Sequence, residues 1–115
     1  MKKNVIREKS YNFALSVILL CKDLNKNHEY LFSKQLFRSG TSIGANIRES
    51  QSAESTKDFI HKLTISLKES REVDYWLHLL KDSNTYSKER IDQLILENIE
   101  ISKILARIII TMKKK

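Results

Sequence analysis

Seven side chains able to handle an anion or a proton recur down one helical face. They are Lys57, His61, Thr64, Lys68, Arg71, Tyr75 and His78, at 4-3-4-3-4-3 spacing. A basic row of this kind can track a phosphate backbone, with the Tyr75 ring available for stacking on a base. The same pattern also suits a solvated face laced with ion pairs. Glu69 and Glu72 flank the row, and Lys68 can pair with Glu72 at i,i+4. Asp58-x-x-His61 sets one carboxylate and one imidazole at i,i+3, whereas a di-iron bundle needs two Glu-x-x-His motifs and two further carboxylates, all facing inward. This pair is single and points outward, so no metal is expected. No Cys–His cluster has zinc spacing, and the chain has no glycine-rich phosphate loop and no nucleophile elbow. The residues imply no cofactor and no catalytic centre of those types.

Arg71 and His78 leave one enzymatic alternative open. They stand seven residues apart, two turns along one face, and resemble the Arg-x(4–6)-His motif of the HEPN ribonucleases, which are also helical bundles. In such a site the imidazole would act as general base or acid and the guanidinium would stabilise a phosphorane-like charge. The motif is short, and here it falls on the third helix rather than toward the end of the chain.

A second group of cations, Lys34, Arg38 and Arg48, lies on the outer side of the helix that precedes the seven-residue row. That helix contains the stretch QLFRSGTSIGANIRE from Gln35 to Glu49, which crowds small residues into a helical pattern. Both glycines of the chain, Gly40 and Gly44, sit here four residues apart. Leu36, Gly40, Ile43 and Ile47 keep the 4-3-4 spacing of a buried face. Glycine within a helix costs about 1 kcal/mol relative to alanine, so two of them predict close backbone approach by a neighbouring helix. Beside them Gln35, Ser39, Ser42, Asn46 and Glu49 form a row of polar side chains. It suits hydrogen bonds across a tight helix or subunit interface, and it also suits a solvated flank.

Four amphipathic segments position these residues. The first is expected from about Val5 to Asn25 and the second from about Leu31 to Ala53, with Ser33 as its N-cap. Ser55, followed by Asp58, opens the third in the manner of a capping box, and that helix reaches about Lys81. Asp82-Ser83-Asn84-Thr85 is the clearest turn, and Ser87 caps a fourth helix that runs to about Met112. Tyr11, Leu15, Ile18 and Leu19 oppose the main stripe of the first helix, and Leu96, Ile99 and Ile110 widen that of the fourth. A four-helix bundle covers one side of each helix, so this surplus predicts self-association. Asn98 and Ser102 fall inside the apolar arc of the fourth helix and need partners.

Composition agrees with one all-helical domain over residues 1–115. The chain has no proline, two glycines, 41% apolar and 30% charged residues. Cys21 is the only cysteine, so no disulfide can form within one chain and a reduced, cytoplasmic setting is expected. No apolar run reaches the roughly 20 residues of a membrane span. Arg7, Glu8 and Lys9 interrupt any apolar leader after Lys2 and Lys3, so neither a membrane nor a secretory signal is expected. The net charge of +7 favours an anionic partner, although Lys2, Lys3 and Lys113 to Lys115 carry part of the excess on the tails.

The run QLFRSGTSIGANIRES, followed by KDFIHKLTISLKESREVDYWLHLL, closely resembles the four-helix-bundle family named after intervening sequences in bacterial large-subunit ribosomal RNA genes. The likeness extends over most of the chain and is specific at Arg38, Ser42-Ile43, Asn46-Ile47, Glu49, Phe59, Glu69, Glu72 and Trp76-Leu77. Many relatives carry Ala where this chain has Arg48 and Gly where it has Ser50. The resemblance implies an up-down-up-down bundle assembled as a homopentamer around a central channel. The related accessory proteins of diversity-generating retroelements present basic surfaces to a reverse transcriptase and its nucleic acid. The family name records a gene location.

Three functional readings follow. The first is a non-enzymatic, homo-oligomeric bundle that binds nucleic acid, RNA ahead of DNA, through Lys34, Arg38, Arg48, Lys57, Lys68 and Arg71. The second is a scaffold that docks a polymerase, reverse transcriptase or ribosomal partner without touching nucleic acid itself. The third is a ribonuclease acting through Arg71 and His78.

Overall fold

The computed structural model describes residues 4–83 and 86–115, and within them the chain forms four helices and no strand. Helix α1 spans Val5–Lys26, α2 Tyr30–Ser50, α3 Thr56–Ser83 and α4 Lys88–Lys113. Each helix packs on its sequence neighbours, α1 and α4 also on each other, and no Cα atoms of the diagonal pairs come within 8 Å of one another among the described residues. Along each seam the numbering runs in opposite senses, so the bundle runs up-down-up-down: Cys21 meets Ser33 while Ser10 meets Gly44, Glu49 meets Lys62 while Arg38 meets Glu72, Lys81 meets Asp92 while Ser70 meets Asn98, and Asp23 meets Arg90 while Lys9 meets Glu100. It forms a rod of 47 × 26 × 20 Å. The expected apolar stripes supply its core, with Phe13, Val17, Leu36, Ile43, Leu63, Leu77, Ile91 and Leu105 almost fully enclosed. Lys2, Lys3, Asn84 and Thr85, invoked above for charge and for the turn, lie outside the described residues.

Two of the three helix caps read from sequence form, at Ser55 and Ser87, and Asn4 caps the first helix as well. Asn4 accepts from the Arg7 amide and Ser87 from the Arg90 amide. Ser55 Oγ accepts from the Asp58 amide at 3.0 Å, and the Asp58 carboxylate reaches back to the Glu54 amide rather than to Ser55. The second helix corrects the expectation. Ser33 is not its cap but a buried residue one turn inside it. The turn that precedes it is shorter than the composition suggested. His28 takes a left-handed conformation (φ 62), the Glu29 amide donates to the Leu24 carbonyl and the His28 amide to the Asn25 carbonyl. These two bonds close a Schellman turn, with histidine where glycine is usual, and they start α2 at Tyr30.

The seams differ in how they are held. Between α1 and α2 the backbones approach closely at the glycines. A Cβ on Gly40 would lie 2.8 Å from Val17 Cγ1, and one on Gly44 would lie 3.4 Å from the Ser10 carbonyl oxygen. Along the same seam Ser33 Oγ donates to the Cys21 carbonyl and Cys21 Sγ to the Ser33 carbonyl, each at 3.4 Å. Burial pushes the Cys21 thiol above its ordinary range, with the Ser33 contact acting weakly against it. Between α2 and α3 the Ser66 hydroxyl donates to the Ile43 carbonyl at 2.8 Å. Between α3 and α4 the partner that Asn98 needs is Ser70. Ser70 Oγ donates to Asn98 Oδ1 at 2.7 Å, and Asn98 Nδ2 donates to the Ser70 carbonyl at 2.8 Å. Ser102 satisfies itself on the Ile99 carbonyl of its own helix.

The α1–α4 seam is the thinnest, and ion pairs bridge it: Lys9 with Glu100, and Asp23 with Arg90. The hydrogen bond from Arg90 holds the Asp23 carboxyl below the usual aspartate range.

Two predictions follow from these contacts. Gly40→Ala should destabilise the chain by about 1–3 kcal/mol, because the β-branched Val17 has little rotamer freedom with which to yield. Gly44→Ala meets an ordinary contact distance and should be neutral, or stabilising by up to about 1 kcal/mol through helix propensity. Denaturant melts of the two variants test the contrast, and equal losses would refute it. The second concerns acid. The folded Asp23 is the stronger acid, so its pair with Arg90 contributes fully above about pH 4 and is lost as the pH falls through the lower folded value. The stability difference between the parent chain and Asp23→Asn should be flat above that point and shrink below it, as read from melts across the acid range.

Candidate nucleic-acid interface

The 28-residue α3 displays the seven-residue basic row. Ser66, Ser70, Val73 and Leu77 bury one face of that helix, which turns Lys57, His61, Thr64, Lys68, Arg71, Tyr75 and His78 outward, all exposed. From Lys57 to Arg71 the row covers about 21 Å at the helical rise per residue. Lys57, Lys68 and Arg71 form no ion pair with a described residue. The pairing of Lys68 with Glu72 considered from sequence does not form. Glu72 instead turns toward α2, where it accepts from Arg38 and, at 3.3 Å, from the Trp76 indole N–H. Tyr75 stands 60% exposed, with its ring edge-to-face on Trp76.

The six cations named from sequence thus divide into two sets. Lys34, Lys57, Lys68 and Arg71 are exposed and unpaired among the described residues. Arg38 binds both Glu69 and Glu72, so its guanidinium is held between two carboxylates. Arg48 lies over the Tyr11 ring at 5.8 Å, a cation–π contact between α2 and α1. Lys34 is on α2, where nothing in the contacts brings it into the α3 row.

Within one chain, three residues of the small polar row on α2 bond to their own helix. Ser39 donates to the Gln35 carbonyl at 2.7 Å, Ser42 to the Arg38 carbonyl at 2.6 Å and Asn46 to the Ser42 carbonyl at 2.8 Å. Each of the three side chains closes on its own helix four residues back, which satisfies its polarity locally. Glu49 alone of the row reaches across, to Lys62 at 3.6 Å.

Arg71 and His78 do share one groove, about 320 Å³ in volume, between α3 and α4. Asp74, Ser102 and Ile99 complete its rim, with the Ser70–Asn98 pair among its lining. His78 Nδ1 sits 2.8 Å from the Asp74 carbonyl oxygen and 3.4 Å from its carboxylate, so that nitrogen carries the proton and Nε2 is left open. The groove brings together one guanidinium, one imidazole and the Asp74 carboxylate that lies beside that imidazole. Among the described residues no cluster of three or more His, Cys, Asp or Glu side chains is placed to hold a metal ion, and no helix is long and apolar enough to cross a membrane.

Comparison with known proteins places the chain. No curated protein matches it. A crystal structure of a protein of unknown function from the S23 ribosomal protein family of Bacteroides thetaiotaomicron is similar, with 46% sequence identity and a TM-score of 0.88. The match covers 90% of this chain and 97% of that one. A sequence model of the 23S rRNA-intervening sequence proteins matches residues 2–107. With nearly the whole chain matched and the same four-helix topology present, the chain belongs to the 23S rRNA-intervening sequence protein family.

Proposed function

We propose that the chain is a non-enzymatic, self-associating helical bundle whose α3 face binds nucleic acid through its phosphates, RNA ahead of DNA. The observation that carries this reading is the outer face of α3. Lys57, Lys68 and Arg71 stand there on one rigid helix, exposed and free of described carboxylate partners, with the Tyr75 ring beside them. Phosphates bound to such a row give affinity without sequence preference, and an exposed tyrosine favours unpaired bases on which it can stack. That preference ranks structured RNA with loops above plain duplex DNA. Lys34 adds a further cation, while Arg38 and Arg48 have prior commitments within the bundle and contribute less. Self-association is supported by the apolar residues left on the surface, among them Leu15, Leu19 and Leu96.

A salt-titrated binding assay with structured RNA tests the proposal. Affinity should fall steeply with salt, and each cation removed should lower the slope of log K against log salt by about 0.7 for single-stranded contacts. Lys57→Glu with Lys68→Glu should abolish binding with the fold intact. Arg38→Gln should cost about 1 kcal/mol of stability or less and leave affinity nearly unchanged. Absence of binding at low salt would make the chain a protein-docking scaffold instead.

A further inference from the structure

The α3–α4 groove sets a carboxylate into the otherwise basic face of α3. Arg71 and Asp74 both line it, at i,i+3 on one helix, a spacing that puts Cβ atoms about 5–6 Å apart. Close as they are, they form no ion pair, and Arg71 has no carboxylate partner among the described residues. The Asp74 carboxylate is equally available. His78 Nδ1 donates its proton to the Asp74 backbone carbonyl at 2.8 Å, and the carboxylate lies farther off at 3.4 Å. Beneath them the buried Ser70 and Asn98 bond to each other, which fixes the floor of the groove.

A phosphate does not suit that set, because Asp74 would face the phosphate's own negative charge. A base edge does suit it, since bases carry donors and acceptors side by side. Guanine matches best. Its N1–H and N2 amino donors lie together, as the two oxygens of one carboxylate require, and its O6 and N7 acceptors fit a guanidinium fork. Adenine and cytosine each place a ring acceptor beside one amino donor, and that acceptor would meet an Asp74 oxygen. Uracil offers one N–H between two carbonyls, with the same conflict. The groove, about 320 Å³, is on the scale of a small-ligand pocket, and Ile99, 38% exposed on the α4 side, gives a ring face apolar cover. Tyr75, one turn beyond Arg71, offers its exposed ring to a neighbouring base.

We infer that the α3–α4 groove is a base site, which seats one unpaired guanine of a bound RNA strand. Asp74 accepts from N1–H and the N2 amino group, and Arg71 donates to O6 and N7. Lys57 and Lys68, farther along the row and unpaired among the described residues, hold phosphates of the same strand. Guanine in a duplex has N1–H and its amino group committed to cytosine, so the site reads loops and single-stranded segments, whose bases can be splayed out. The inference rests on the nucleic-acid reading and adds a base preference to it.

Hairpin RNAs identical except for one loop residue test it by fluorescence anisotropy with the full chain. The guanine loop should bind about tenfold or more tighter than the adenine, cytosine and uracil loops, the scale of one bidentate base contact. Higher salt should weaken all four loops by the same factor and preserve that ratio. Asp74→Asn should erase the advantage of guanine over adenine. Inosine in the loop, which keeps N1–H, O6 and N7 but lacks the N2 amino group, should lose most of the advantage with the unmodified chain. That measurement decides the matter even if Asp74→Asn fails to fold. Equal affinity for the four loops overturns the guanine site and leaves phosphate binding standing, whereas no binding of any loop overturns both. A preference that survives both inosine and Asp74→Asn overturns the assignment to Asp74. Guanosine monophosphate that binds as tightly as the guanine loop overturns the strand-bound reading in favour of a free nucleotide.

Discussion

The close approach of α1 and α2 at Gly40 is the constraint on which the rest of the bundle depends. With Val17 pressed where a Cβ would stand, the two helices sit nearer than ordinary side chains permit. That proximity brings Ser33 and Cys21 into reciprocal contact and lays Arg48 over Tyr11. It also gives the bundle an asymmetry. One side of α1 is fixed tightly to α2, and its other side meets α4 through long ion-paired side chains and open grooves. The tight seam sets the fold.

Polar groups in the interior work by specifying register. Leucines and isoleucines along a helix can slide past one another by a turn at modest cost, but a reciprocal amide–hydroxyl pair cannot. Ser70 and Asn98 satisfy each other at a single offset of α3 against α4. Ser66 on the Ile43 carbonyl does the same for α3 against α2. Moving either seam by one turn would bury an unpaired amide or hydroxyl, which costs about 1–3 kcal/mol. The outward aim of the α3 row is thus fixed from within by Ser66 and Ser70, both on the opposite side of that helix.

Much of this was legible in the sequence wherever a single helix decided the outcome. The apolar stripes, the caps at Ser55 and Ser87, the need for close approach at the glycines and the need of Asn98 for a partner all follow from local periodicity and local chemistry. What escaped was settled by residues far apart in the chain or by an unusual backbone. Arg38 reads as a free outer cation until α3 brings Glu69 and Glu72 beside it, from 31 and 34 residues away. Ser33 reads as a cap because nothing in the sequence announces that His28 will adopt a left-handed conformation and shorten the turn. In the α2 polar row, Ser39, Ser42 and Asn46 close within one chain on their own i−4 carbonyls, which side chains this short reach readily.

The charge distribution ties the seams to the surface. The ion pairs fall largely between helices: Lys9–Glu100 and Asp23–Arg90 on α1–α4, Arg38 with Glu69 and Glu72 and Lys62–Glu49 on α2–α3, and Lys81–Asp92 on α3–α4. Each pair draws a carboxylate toward a seam, and carboxylates are the scarcer charge, 14 against 21 lysines and arginines. Cations left over form no ion pair with a described residue, and Lys57, Lys68 and Arg71 are among them. The acids that bind the helices together therefore concentrate the net positive charge outside. An exposed pair is worth little to stability, and screening by salt weakens it further. Its larger consequence here is the sign of the field that the α3 face presents to an approaching polyanion.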